Sequence, residues 1–225
     1  MDDRGTDYDA FAACLRDVGR ANRASGGYRP TLRFVQRALA RMSSLREPVR
    51  LLDVGFGHGD VLRAIAAWST RRGIRMTLCG IDLDPWAERA ARAATPACFA
   101  IEYATADAFA FEPHRPYDLV TASLVTHHLS DVAVVELLRR MERWGRCGWF
   151  VNDLHRHVVP YRVAAVATRL TGAHPFVRND APLSVARAFV RAEWRQLLAR
   201  AQLSDVARLR WEFPFRYCIE RTAGV

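Results

Sequence analysis

The chain contains no lysine: all 33 of its basic residues are arginine, and against 24 acidic residues they give a formal charge of +9. A basic balance of this size fits the electrostatic footprint of a nucleic-acid binder. Complete replacement of lysine by arginine, beside abundant Ala, Gly and Val, is better explained by a GC-rich coding style, so the charge alone decides little. Also missing is any apolar run of the roughly 18 residues needed to cross a membrane. The opening Met1-Asp2-Asp3-Arg4 is acidic where a signal peptide would be basic, and a soluble, cytoplasmic protein is expected. No CxxC pair occurs among Cys14, Cys79, Cys98, Cys147 and Cys218, which read as small hydrophobes in a reducing compartment. At 50% hydrophobic and 25% charged residues the composition is that of a globular chain, and disorder is excluded. Its 225 residues suit one domain rather than two.

Residues 7–45 carry helical spacing in two pieces, with Phe11, Leu15 and Val18 on one face, a break at Ser25-Gly26-Gly27, then Leu32, Val35 and Leu39. From residue 49 short β-rich runs alternate with helices. The runs are Val49 to Val54, Met76 to Asp82, Phe99 to Ala104, Tyr117 to Ala122 and Gly148 to Asn152, and the helices are Asp60 to Arg72, Pro85 to Ala94 and Asp131 to Trp144. Such alternation predicts parallel βαβ units. The alternation stops after Asn152. There follow a helical run at Tyr161 to Leu170, a loop that includes Arg178 to Ser184 with Ser184 as an N-cap, and an amphipathic helix at Ala186 to Ala201. Val206 to Phe213 and Phe215 to Glu220 are joined only at Pro214, which permits only an antiparallel hairpin. The expected fold is therefore α/β: a doubly wound, Rossmann-like, mostly parallel seven-stranded sheet ending in an antiparallel hairpin. One domain, 1–225, comprises an N-terminal helical lid (1–45), a core (46–153 and 185–225) and a substrate-side helical insertion (154–184).

The most informative stretch is Leu51-Leu52-Asp53-Val54-Gly55-Phe56-Gly57-His58-Gly59-Asp60, a buried strand running through alternate glycines into a helix. Glycines there let the backbone turn sharply and let a ligand approach without a Cβ in the way. The spacing is GxGxG rather than GxGxxG, with Asp53 two residues ahead of the first glycine. The motif resembles that of the class I S-adenosylmethionine-dependent methyltransferases. Further matches follow in order. Gly80-Ile81-Asp82-Leu83 places a carboxylate about 25 residues beyond the loop, suited to accept both ribose hydroxyls. Ala106-Asp107-Ala108 is similar to the family's segment at the adenine amino group, and Tyr117 to Ser123 to the strand closing the far wall of the cleft. The resemblance implies S-adenosylmethionine as cofactor, held by Asp53, Gly55, Phe56, Gly57, Gly59, Asp82, Leu83, Asp107, Ala108 and Ser123. Asp118, at the start of its strand, is expected to face away from the cofactor.

Methyl transfer from a sulfonium needs an acceptor lone pair aligned behind the methyl carbon, so positioning does most of the work. A phenol or enol must also lose a proton, for which a histidine with a pKa near 6.5 is a suitable base. His128 and His155 are the catalytic candidates. Both follow strands at the edge where open α/β sheets place ligands. His127, Tyr28 and Arg29 are the expected substrate-side residues, with Tyr28 or Arg29 reaching the cofactor carboxylate or the acceptor from a glycine hinge. Asp153, His155 and His157 have metal-ligand chemistry, yet no metal is expected. Ser123-Leu124-Val125-Thr126 lacks the prolines and aromatic that grip a flipped base, and Ser123 to Leu129 resembles small-molecule methyltransferases of the quinone-biosynthesis type.

The expected reaction is therefore methylation of a phenolic oxygen on a small hydrophobic metabolite of specialised metabolism, by a monomer or homodimer. An RNA methyltransferase, a C- or N-methyltransferase of a small molecule and a catalytically silent cofactor-binding partner subunit are the alternatives. Arg33, Arg37, Arg41, Arg46, Arg63, Arg71, Arg72, Arg75, Arg187, Arg191, Arg195 and Arg200 fall mostly on solvent-facing helix positions without interleaved aromatics, so nucleic acid is not the expected partner.

Overall fold

The computed structural model describes residues 7–42, 47–170 and 175–222, so Arg46 lies outside the described residues. Seven strands form one sheet: β1 (Val49–Val54), β2 (Met76–Asp82), β3 (Ile101–Thr105), β4 (Tyr117–Ser123), β5 (Gly145–Leu154), β6 (Arg208–Glu212) and β7 (Arg216–Thr222). Their order is β3-β2-β1-β4-β5-β7-β6, parallel from β3 to β5, with β7 antiparallel to both β5 and β6. β1 and β4 are buried almost throughout, as strands covered on both faces must be.

The helices are α1 (Tyr8–Ala24), α2 (Arg29–Arg41), α3 (Asp60–Arg71), α4 (Pro85–Ala94), α5 (Asp131–Trp144), α6 (Val158–Leu170), α7 (Pro175–Arg187) and α8 (Arg191–Ala201). Local chemistry sets several starts. Asp84 accepts from Trp86 N at 2.8 Å with Pro85 beginning α4, and Ser130 Oγ accepts from Ala133 N at 3.3 Å at the head of α5. Two hydrophobic layers follow from the two covered faces. On one, α1 to α4 pack Phe34, Leu62 and Ile65 against Leu51 and Phe150, with the Phe34 and Phe150 rings stacked at 4.9 Å. On the other, α5 and α8 bring Leu138, Trp194 and Leu197 against Val120, Trp149 and Ile219. Truncating a fully buried ring such as that of Phe34 or Trp194 to Ala removes about 3–5 kcal/mol.

One segment departs from expectation. Residues 178–184 belong to α7, with Pro182 inside the helix, and Ser184 lies within α7 while α8 begins at Arg191. Asn179, Asp180 and Pro182 read locally as a loop. Tertiary contact overrides that reading, because α7 lies along α6 and touches both α1 and the 3-10 turn Thr126–His128. α7 thus spans from the N-terminal helices to the turn after β4, over the carboxyl end of the sheet.

Candidate functional site

The glycine loop joins β1 to α3. Gly55, Gly57 and Gly59 all have left-handed backbones, with φ of +69°, +54° and +77°, which a side chain would strain. A Cβ on Gly55 would come 2.4 Å from Val125 Cγ2, and one on Gly59 would come 2.5 Å from Tyr103 Oη, whereas one on Gly57 would meet nothing within 4 Å. The loop is therefore closed against the protein at both ends and open in the middle. Asp82, at the end of β2, accepts from Gly57 N at 2.9 Å and from Asp84 N at 3.1 Å. Burial raises its carboxyl pKa against those hydrogen bonds. Ala106 N donates to Asp82 O at 2.8 Å, which brings Asp107 and Ala108 beside the end of β2. Asp107 accepts from Phe109 N at 2.8 Å, and Leu83 stands 72% exposed at this edge.

Two residues expected at the cofactor point inward. Phe56 is buried, its ring 4.8 Å from that of Tyr103, so only its backbone belongs to the loop. Asp53 is buried beneath the loop, accepts from Thr121 Oγ1 at 2.7 Å, and is pushed up to about 7 by burial, with Asp82 adding to the rise. Asp118 ties β1 to β4 at the opposite edge by accepting from Arg50 N at 2.8 Å. Arg63, read from its spacing as a solvent-facing arginine, instead bonds His58 O at 2.5 Å and Asp60 at 2.6 Å beside the loop.

Beyond Ser123 the chain turns through Leu124, a non-glycine residue at φ +60°, into Val125 and the two histidines. His127 is buried. Its Nδ1 lies 2.7 Å from Asp153 Oδ1, and its backbone N donates to Asp153 Oδ2 at 3.2 Å. Thr126 Oγ1 and Leu154 N also donate to this carboxylate. These contacts hold Asp153 down at about 2 despite its burial. For His127 burial alone would lower the pKa, but the Asp153 charge and hydrogen bond raise it. The ring of His128 lies 4.1 Å from that of His127, and its pKa is lowered, first by burial and then by the His127 charge.

Both histidines line a cavity of about 530 Å³ bounded also by Leu129, Arg156, Arg187, Phe189 and Glu193. His155 does not line it. That ring contacts His157, Phe215 and Tyr217 and receives Trp211 Nε1 at 3.2 Å. Asp153 turns to His127 while His155 and His157 face the hairpin, so these three side chains do not converge. Among the described residues, no group of three or more potential ligands is placed to hold a metal.

The elbow between α1 and α2 closes on the same edge. Tyr28 Oη donates to Gly19 O at 2.8 Å, and burial pushes its pKa up to about 12; Arg29 is exposed. Asn152 Nδ2 donates to Gly27 O at 2.8 Å and to Thr31 Oγ1 at 3.3 Å, and Thr31 pairs with Ser123 at 3.2 Å. Arg216 reaches the network from β7. Asn152, Thr31 and Arg216 were not singled out from the sequence as site residues, and Asp153 was considered there only as a metal ligand. Only the alternation along β5, which puts Asn152 and Asp153 on opposite faces near its carboxyl end, hinted at those two.

A methyltransferase-domain family model matches residues 26–207, and the chain belongs to that family. Members use S-adenosylmethionine, and the open glycine cradle at Gly57 and the carboxylate of Asp82 fit that cofactor. A stretch is 38% identical over 92 residues to trans-aconitate 2-methyltransferase of Streptomyces avermitilis, covering 38% of this chain and 32% of that enzyme, so only about a third of the relative's length is matched. Among solved structures, the plantazolicin methyltransferase BpumL, in complex with a pentazolic desmethylPZN analog and SAH, has a TM-score of 0.62 at 14% identity, covering 96% of this chain and 95% of that one. Magnesium protoporphyrin IX methyltransferase from Synechocystis PCC 6803 has a TM-score of 0.57 at 16% identity, covering 87% and 83%. At these identities the two structures speak for the fold.

Proposed function

We propose that the protein transfers a methyl group from S-adenosylmethionine to an oxygen, phenolic in the first reading, of a small hydrophobic metabolite, with His128 as the general base. The observation that carries this is the placing of the two histidines beside the cavity: His127 is buried with its Nδ1 2.7 Å from Asp153, while the ring of His128, 4.1 Å away, is exposed at the cavity wall. The Asp153 carboxylate raises the pKa of His127, whereas desolvation and the neighbouring His127 charge lower that of His128. Environments that push two neighbouring groups apart in pKa assign them different roles. His128 is then the ring available to an acceptor in the cavity, while His127 is committed to Asp153.

When bound, the cofactor supplies an electrophilic methyl carbon on a sulfonium whose departing sulfur keeps the bonding pair. The protein's part is alignment and proton removal. Glycines 55–59 with Asp82, Leu83, Asp107, Ala108 and Ser123 hold the cofactor. The cavity is of a size for a small acceptor; Leu129 and Phe189 offer it apolar surface, and Arg187 favours a developing phenolate, Arg156 being paired with Glu193 at 2.5 Å. Val125 links the two halves, because it lies against Gly55 only two residues before His127. Helices α1 and α2 serve as a lid, through the contact of Gly19 with Asp60, and α7 caps the acceptor side through the histidine turn. His155, set in the aromatic cluster of the hairpin, is the weaker base candidate.

The test is labelled methyl transfer to a panel of phenols by the wild type, His128→Ala and His155→Ala. A positioned base is worth about 100-fold or more in rate, so His128→Ala should lose at least that much while His155→Ala stays near wild type. A second reading, favoured by Arg187 and by the trans-aconitate relative, makes the acceptor a carboxylate oxygen. A carboxylate is already ionised at neutral pH and needs no base, so for such an acceptor His128→Ala would retain activity while Arg187→Ala would raise KM.

A further inference from the structure

Arg216 is the first residue of β7, paired in register with Leu154 at the carboxyl end of β5. It is only 3% exposed, and among the described residues it makes no ion pair. Nη2 donates to Asn22 Oδ1 at 2.8 Å and Nη1 to Asn152 Oδ1 at 3.4 Å. Its Nε is buried with no hydrogen-bond partner among the described residues. Burial lowers its pKa, outweighing the charge of Asp153, which forms no ion pair with it. The neighbouring arginines behave differently: Arg37 and Arg210 both pair with Glu220 two turns of the pleat along the same strand.

A buried guanidinium bonded to two neutral amide oxygens is costly to keep, and the cost is relieved when an anion completes it. Its surroundings say where that anion comes from. Asn22 and Gly27 belong to the elbow that covers the group, and a Cβ on Gly27 would come 2.5 Å from Arg216 Nη2. Asn152 connects the guanidinium through Thr31 to Ser123 at the end of β4, on the cofactor side of the sheet. Tyr28 and Arg29, the residues expected from the sequence to meet a carboxylate, are directed elsewhere, the first to Gly19 O and the second to solvent.

We propose that Arg216 is the anchor for the amino-acid carboxylate of the bound cofactor, with Nε–H and a neighbouring Nη–H forming a bidentate fork beneath the elbow. A guanidinium has five N–H donors, and the two amide contacts leave Nε–H and further Nη–H groups free for this. The fork is geometrically matched to a carboxylate. The elbow then closes over the pair with Asn22 and Gly27, so cofactor capture and lid closure are one event.

Titration calorimetry on the full chain tests this with two probes that differ in one group: S-adenosylhomocysteine, and its decarboxylated analogue, which keeps the amine. A hydrogen-bonded charge pair contributes about tenfold to a hundredfold in affinity. The wild type should prefer S-adenosylhomocysteine by that factor, and in Arg216→Gln the preference should collapse to near unity because only the carboxylate ligand weakens. Arg216→Lys, which keeps the charge without the fork, should restore part of the preference, and it decides the matter if the glutamine variant does not fold. Equal loss of both ligands in either variant would mean that Arg216 merely braces the elbow and would overturn the assignment. An unchanged preference would overturn it equally, as would a wild type that does not distinguish the probes. Failure of the wild type to bind either probe would instead reject the cofactor reading itself.

Discussion

Replacing Asp153 by Asn removes one charge and almost no volume, and the structure says what this should cost. The carboxylate takes donors from Thr126 Oγ1, His127 Nδ1, His127 N and Leu154 N. An amide oxygen with its attached NH2 cannot serve all of them. The folded pKa of about 2, against an ordinary 3.8, corresponds at 1.36 kcal/mol per pH unit to about 2 kcal/mol of stability. Because the folded value is depressed, this contribution is present above pH 3.8 and is lost as pH falls through about 2. His127 reports the same ion pair from its other end. Its folded pKa is raised, so its share is complete below the ordinary 6.5 and disappears as pH rises through the folded value. The two are one interaction and are not added. Removing one partner of a buried pair also strands the other, so Asp153→Asn should lose about 3 kcal/mol at pH 6. Urea denaturation of wild type and variant at pH 6 and pH 9 measures it, with the gap narrowing as pH rises through the raised folded pKa of His127. A variant within about 0.5 kcal/mol of wild type at both pH values would refute the ion pair as the organiser of this site.

Other perturbations reach other parts of the argument. Gly55→Ala places a Cβ at 2.4 Å from Val125 Cγ2 on a backbone at φ +69°; strain of about 1–3 kcal/mol and a displaced Val125 should weaken S-adenosylhomocysteine binding severalfold by calorimetry, and unchanged affinity would contradict the close contact. Asp53 has a folded pKa raised to about 7, so it penalises folding progressively between pH 3.8 and pH 7. Asp53→Asn, which still accepts from Thr121, should therefore raise the melting temperature at pH 8 and leave it little changed at pH 4. For the base, the pH profile of kcat/KM on a phenol should fall on the acid side with a midpoint below 6.5, the direction of His128. Removing His127 by His127→Gln should move that midpoint upward, whereas a purely structural His127 would lower the rate without moving it.

The Rossmann-like sheet, its order of elements and the cofactor loop were legible in the sequence because each is written locally. A fully apolar strand such as Leu51 to Val54 runs into alternate glycines, and those glycines precede a helix, so strand, turn and helix announce themselves within about a dozen residues. The positions of Asp82, at the end of β2, and Asp107, just beyond β3, were readable for the same reason. The closing hairpin followed from chain length alone, since a link as short as Pro214 cannot cross over.

What the linear order could not show is which distant side chains would share one buried volume. Asp153 is 26 residues from His127, and Arg216 is 194 residues from Asn22; nothing in their local sequence marks them as partners. The rank of His128 over His155 likewise depends on which rings the fold brings to the cavity and which it turns into the hairpin. α7 illustrates the same limit at the level of secondary structure, where Pro182, Asn179 and Asp180 argue for a loop and only packing against α1, α6 and the histidine turn makes a helix. Residue type and spacing thus determined the scaffold and the place of the glycine loop within it. Charge, burial and proton affinity in the acceptor half are properties of three-dimensional neighbours, because a pKa is set by what surrounds a group and not by what precedes it in the chain.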